Sequence, residues 1–230
     1  KTNVHGAENL VMAAIRTGVK KVVALSTDKA ANPVNLYGAS KLAADKIFVS
    51  ANGLAGDDGP RFAVARYGNV VGSRGSIVPL FRKLIADGAE SLPITDPRMT
   101  RFWITLQQGV DFVFSCLAMM KRGEIFVPKI PSMAIVDLAK LMAPDLPHEI
   151  VGIRPGEKLH EVLVTEDDAR NAIELPDRYV IRPTLYPEWA GGYHPDERPL
   201  SDGFRYSSDN NPQWLDTESM RQILELSQPK

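Results

Sequence analysis

Four segments at the start of the chain alternate between a helical and an extended hydrophobic period, and this alternation restricts the fold more than any other feature. KTNVHGAENLVMAAIRTG (residues 1–18) carries apolar side chains at Val4, Leu10, Val11, Ala14 and Ile15. That approximate i, i+3/i+4 stripe predicts a helix stopped by Gly18. KKVVALS follows as a short β-branched run of the kind buried in a parallel sheet. A polar loop with Asn32-Pro33, a helix from about Leu36 to Asn52 and a second strand, RFAVARY, complete the series. Helices and strands alternating across short connections are the pattern of an α/β protein. Such a sheet rarely opens on a helix, so further βα units are expected ahead of residue 1. Ligands of these folds gather at the carboxyl ends of the strands, which puts the loops at Thr27 and Gly68 in that position.

After about residue 75 the pattern loosens. SIVPLFRKLIADGA, TLQQGVDFVFSCLAMMKRG and SMAIVDLAKLMA read as helices, and EIFVPK, HEIVGIR and RYVIRP as strands, with Pro-rich loops between them. The 230 residues are 44% hydrophobic, enough for a buried core in one large domain or one and a part. Lys plus Arg (27) nearly balances Asp plus Glu (28), so no strong field favours nucleic acid or an anionic membrane. The lone Cys116, in the apolar run FVFSCLAMM, excludes an internal disulfide framework and reads as a small buried residue. The longest apolar run, around 109–120, is broken by Asp111 and falls short of the ~20 residues a bilayer span needs. A soluble, cytoplasmic protein is expected.

Two motif matches fail on context. GLAGDDG (53–59) has the letters of a dinucleotide-binding fingerprint, but it is expected to follow a helix rather than a strand. Its Asp57 and Asp58 would also repel a phosphate. A true phosphate loop is therefore expected upstream of residue 1. The four histidines are scattered, and HEVLV at His160 lacks the second histidine of a zinc motif.

The chemistry concentrates in ALSTDKAANPVNLYGASKLAADK (residues 24–46). Tyr37 and Lys41 stand at i and i+4, on one face of the expected helix. An ammonium beside a phenol favours the phenolate, so Tyr37 is a candidate base for an alcohol whose carbon gives up a hydride to a nicotinamide. Thr27, one loop away, is placed to hydrogen-bond the same oxygen. Alone, a tyrosine and lysine four apart is a weak signal; its position after a buried strand strengthens it.

TNVHGAENLVMAA, STDKA, YGASK and RYGNVVGSRGSIVPLF resemble the extended short-chain dehydrogenase/reductases. Within these, STDKAANPVNLYGASKLAADK and RPGEKLHEVLVTEDDAR are similar to the inverting UDP-N-acetylglucosamine 4,6-dehydratases of pseudaminic acid biosynthesis, and the resemblance runs on to GFRYSSDNNPQWL. It implies a Rossmann-like, doubly wound parallel sheet with its N-terminal part missing, beside a smaller mixed α/β substrate-binding region. Residues 1–75 are then the C-terminal half of the NADP-binding domain. Residues 76–230 are mainly the substrate-binding region, with some segments returning to the first.

The resemblance also implies a reaction. Oxidation at C4 of the sugar acidifies the C5 proton, a base removes it, an acid protonates the departing C6 hydroxyl, and the hydride returns to C6. Lys29 and Asp28 fit the base and the acid, beside Thr27, Tyr37 and Lys41. A neutral Lys29 needs desolvation or neighbouring cations, and a protonated Asp28 needs a partly buried site. Tyr37, Lys41 and Val70 are implied for NADP, and Asn69, Arg74, Gly75, Ser76, Ile77 and Val78 for the nucleotide-sugar. Arg101 and Arg154 are implied as further substrate arginines with Glu157 beside them; guanidinium forks suit phosphate. Trp103, Trp189 and Trp214 are expected in the core. The family further implies a homo-oligomer.

Two other readings stay open at this point. One is a capsule or O-antigen dehydratase/epimerase, or a plain 4-epimerase, against which the Asp-Lys pair after Thr27 counts. The other is a truncated or structural chain, since half of such a sheet leaves a hydrophobic edge; these 230 residues alone are expected to be inactive.

Overall fold

The computed structural model of the protein describes residues 1–184 and 192–227. Trp189, one of the three tryptophans expected in the core, lies outside the described residues.

In chain order the first elements are α1 (Val4–Thr17), β1 (Lys21–Thr27), α2 (Leu36–Ala55), β2 (Arg61–Tyr67), β3 (Asn69–Val70) and α3 (Ile77–Ala86). They are followed by β4 (Leu92–Ile94), β5 (Thr100–Ile104), α4 (Leu106–Met119), β6 (Ile125–Pro128), β7 (Ser132–Ala134) and α5 (Ile135–Met142). The last are β8 (His148–Ile150), β9 (Val162–Val164), α6 (Glu166–Ala169), β10 (Ala172–Glu174), β11 (Arg178–Ile181), β12 (Arg198–Pro199) and α7 (Thr217–Leu226). The chain forms two compact units: residues 1–67, 110–129 and 162–206, and residues 68–109, 130–161 and 207–230.

The first unit is built on a sheet of order β1-β2-β6-β11-β10-β12. β1, β2 and β6 are parallel, whereas β11, β10 and β12 add in antiparallel fashion. The result is a Rossmann-like α/β sheet that is mixed rather than wholly parallel. β2 and β6 are apolar, as strands covered on both faces require, and Phe62, Ala63, Val64 and Ala65 of β2 are fully buried. β1, expected to be buried, is the edge strand of the described sheet: it is mostly half-buried, and Leu25 is 51% exposed. Ala63, Ala65 and Phe126 pack with Phe112, Cys116 and Met120 of the α4 segment. Burial pushes the Cys116 thiol up to about 12 even with Arg178 beside it, so it is no nucleophile at neutral pH.

α1 ends where expected, with Gly18 in the left-handed region (φ 70°) closing the last turn. Its buried face differs from the expected stripe. Ala7, Val11 and Ala14 are buried, while Leu10 is 63% exposed. α2 starts at Leu36 because the Asn35 side chain caps it, its Oδ1 accepting from Gly38 N at 2.8 Å. It runs three residues beyond Asn52, so Gly53–Ala55 of GLAGDDG belong to the helix and only the remainder forms the turn.

In the second unit β3, β5 and β7 form one small sheet and β4 and β8 another. Trp103, Phe81, Leu92, Ile94, Met133 and Leu138 are buried together as its core. A fully buried side chain of this size contributes about 1.5–3 kcal/mol over an exposed one. Three expectations fail here. SMAIVDLAKLMA is not one helix, because Ser132–Ala134 pair with β5 before α5 begins. The strand in HEIVGIR stops at Ile150. Trp214 is 49% exposed rather than a core residue.

Candidate active site

The parallel strands β1 and β2 end in register, Ser26 opposite Arg66 and Thr27 opposite Tyr67. Just past that edge, Asp28–Ala30 form a single 3-10 turn. Thr27 stays extended and caps it, its Oγ1 accepting from Lys29 N at 3.4 Å and donating to Asp28 Oδ1 at 2.8 Å. Asp28 is buried, and Lys29 Nζ donates to the same Oδ1 at 3.0 Å while the lysine keeps 37% of its side-chain exposure. The sequence neighbours Asp28 and Lys29 are therefore a contact pair, one partner inside and one facing out.

α2 holds Tyr37 and Lys41 one turn apart. Tyr37 is 53% exposed. Lys41 reaches back to the edge of β1, donating to Leu25 O at 2.7 Å. That bond fixes the ammonium against the strand that delivers Thr27. The turn and the helix meet at Gly38, where an added Cβ would lie 2.3 Å from Lys29 O and 3.0 Å from Pro33 Cβ. Gly38 is in helical backbone, so it is required for close approach rather than for its φ. Gly38→Ala must push the Lys29 turn away from α2. It is expected to lower turnover per folded molecule more than tenfold, since displacements of about 1 Å at reacting groups cost that much or more. Steady-state kinetics beside a thermal melt check this.

Gly38 and Asn35 escaped the residue-by-residue reading, although an Asn immediately before a helical run is a cap signal.

In the second unit, Arg74 and Gly75 line a cleft of about 1140 Å³ with Gly72, Arg82, Thr105 and Gln107. Gly72 and Gly75 both have φ 75°, which bends the loop ahead of α3. Ser76 is the residue before α3 and gives that helix no side-chain cap; its Oγ is buried without a hydrogen-bond partner among the described residues. Ile77 and Val78 open the helix, and Val78 is fully buried in the core, so only the backbone of Val78 is available to a ligand. Asn69 and Val70 form β3 and are half-buried.

Arg101, implied as a substrate arginine, makes its contacts inside the second unit. It is buried, and its guanidinium donates to Thr100 O at 2.7 Å, Leu159 O at 3.0 Å and Lys158 O at 3.0 Å. Glu157 and Glu161 stand 3.8 Å from it. In this structure Arg101 clamps the backbone of the 157–161 loop. Arg154 is exposed at the head of that loop, with its N–H 3.4 Å from Glu157 Oε2. Among the described residues no helix is long and apolar enough to cross a membrane, and no cluster is suited to a metal ion.

The family model described as polysaccharide biosynthesis protein matches residues 1–183. An inverting UDP-N-acetylglucosamine 4,6-dehydratase of Campylobacter jejuni is 54% identical over 97% of this chain and 69% of its own length. Among solved structures, Pen from Bacillus thuringiensis superposes with a TM-score of 0.86 at 35% identity, covering 98% of this chain and 68% of its own. The fold alone is shared with DesIV, a dTDP-glucose 4,6-dehydratase from Streptomyces venezuelae solved with NAD bound (TM-score 0.62, 24% identity, 69% of this chain and 55% of that one). The chain belongs to the polysaccharide biosynthesis protein family and, within it, groups with the inverting UDP-N-acetylglucosamine 4,6-dehydratases.

Proposed function

We propose that the protein is a hydro-lyase that removes water across C5 and C6 of UDP-N-acetylglucosamine and inverts C5. The product is UDP-2-acetamido-2,6-dideoxy-L-arabino-hexos-4-ulose, a precursor for pseudaminic acid in a surface glycan. The observation that carries the reading is the buried Asp28 holding Lys29 at 3.0 Å, directly after Thr27 and against the helix of Tyr37 and Lys41.

A dehydration needs one base and one acid at adjacent carbons, and the pair supplies both by moving a single proton. In the ion pair, Lys29 is an ammonium and Asp28 a carboxylate. Passing the proton along the 3.0 Å contact gives a neutral amine and a neutral acid, the form the elimination requires. Lys29, partly exposed, then takes the C5 proton, and Asp28 protonates the leaving C6 hydroxyl.

Tyr37 and Thr27 act earlier, at the C4 hydroxyl. Tyr37 accepts its proton and Thr27 orients its oxygen, with the Lys41 ammonium stabilising the phenolate. The donors of the first unit suit a nicotinamide: a phenol on an exposed tyrosine and an ammonium fixed at the end of β1. We assign NADP as that cofactor, which when bound accepts the C4 hydride and later returns it to C6. Recognition of the uridine diphosphate is assigned to Asn69, to Arg74 with the backbone of Gly75–Val78, and to Arg154. Arg101 and Glu157 shape the Arg154 loop.

Mass spectrometry of the full-length gene product acting on UDP-N-acetylglucosamine tests the reading. The expected product is lighter by one water, with catalytic cofactor sufficing for many turnovers. A product of unchanged mass would mark an epimerase and overturn it.

A further inference from the structure

Behind the active site lies a buried charge network that the proposed chemistry does not use. Arg66, the last residue but one of β2, is 1% exposed. Its guanidinium touches three other segments: Asp45 Oδ2 on α2 at 3.4 Å, Asp168 Oδ2 on α6 at 3.0 Å, and Leu163 O on β9 at 3.1 Å. Asp45 takes a second bond, from Ser26 Oγ at 2.7 Å. Ser26 is the residue before Thr27, and Asp45 stands one turn beyond Lys41 on α2. β9 in turn packs on the Asp28–Ala30 turn. Every segment that carries a reacting group in this unit is therefore tied, directly or through one neighbour, to the Arg66–Asp45 pair.

Burying two ions is costly, and a sheet of this kind is equally well packed by apolar residues. Desolvation raises the Asp45 carboxyl above its usual range, against the pull of Arg66, Ser26 and Lys41. A pair kept at that cost, with bonds aimed at two catalytic segments, points to alignment as its task.

We infer that Asp45, with Arg66, is a positioning residue that sets the Tyr37/Lys41 helix against the Thr27–Asp28–Lys29 turn. It touches no substrate and acts through Ser26 and through the helix it sits on. The inference rests on the dehydration reading for the identity of the reacting groups, but the geometry it concerns is the same for any reaction begun by hydride removal at C4.

The test uses Asp45→Asn and Ser26→Ala in the full-length gene product. Asn keeps the shape and accepts one hydrogen bond but loses the charge that holds Arg66. For Asp45→Asn, kcat per folded molecule is expected to fall about 10- to 100-fold with KM within about threefold, because misalignment costs rate rather than binding. Ser26→Ala removes one hydroxyl and folds readily; it is expected to lower kcat in the same direction by a smaller factor. The double variant is expected to lose no more than Asp45→Asn alone, since both act through one contact. A purely structural role predicts a lower melting temperature with unchanged kcat in the folded fraction, and that result overturns the inference. So does a Ser26→Ala protein with wild-type kcat, should Asp45→Asn not fold. Wild type is assayed beside the variants. If it epimerises instead of dehydrating, the reaction assigned above is wrong, yet the variants still report on alignment through the rate of hydride removal from C4.

Discussion

Lys29→Ala is expected to lower the rate of dehydration about 100- to 10,000-fold, the range for loss of a general base. The loss falls after the first step. Tyr37, Thr27 and Lys41 sit on β1 and α2 and do not need the Lys29 amine, so oxidation at C4 survives. A single turnover with the variant is therefore expected to show the absorbance of reduced nicotinamide, with no release of water and no exchange of the C5 proton with solvent. Lys29 is 37% exposed and its loss leaves Asp28 still bonded by Thr27, so the fold stays intact. A variant that retains more than a tenth of wild-type dehydration would show that the C5 base is another group.

Tyr37→Phe is expected to fail one step earlier, with a loss of similar size. Its hydroxyl is the phenol of the site, and removing one oxygen from a side chain that is 53% exposed disturbs little else. Without it the C4 proton has no acceptor, the ketone does not form, and the C5 proton is not acidified. Neither reduced nicotinamide nor C5 exchange is expected. The two variants thus separate by spectrum: Lys29→Ala reduces the nicotinamide and stops, and Tyr37→Phe never starts. Reduced nicotinamide appearing at the wild-type rate in Tyr37→Phe would remove the tyrosine from its assigned place.

The parts legible in the sequence are those fixed by local rules. β1, α2 and β2 follow from a β-branched run, an Asn cap and a second apolar run, and their loops fall at the strand ends where the chemistry lies. Asp28 and Lys29 stood out through the resemblance, since an adjacent Asp-Lys pair in a loop is by itself as readily a solvated one. What stayed hidden depends on distant partners. β7 exists because Ser132–Ala134 pair with β5, and nothing in three residues announces that. α7 carries one narrow stripe, Met220, Ile223 and Leu224, in an otherwise polar segment, too little to signal a helix without the core it meets. On α1 the small Ala7 is buried and the larger Leu10 is not, which an apolar count inverts. Nothing in RFAVARY announces the part played by Arg66, because Asp45 and Asp168 lie 21 and 102 residues away along the chain. Arg101, a substrate arginine by the resemblance, also donates to loop carbonyls far along the chain, which its residue type does not announce.

The central claim is that Asp28 and Lys29 convert an oxidation into a dehydration. NMR of the full-length gene product acting on UDP-N-acetylglucosamine in D2O tests it most directly. A 6-deoxy-4-keto sugar with deuterium at C5 and inverted configuration there is expected. A 4-epimer with its C6 hydroxyl intact and no deuterium at C5 would contradict it, leaving Tyr37 and Lys41 as the working pair and Asp28–Lys29 as a structural contact.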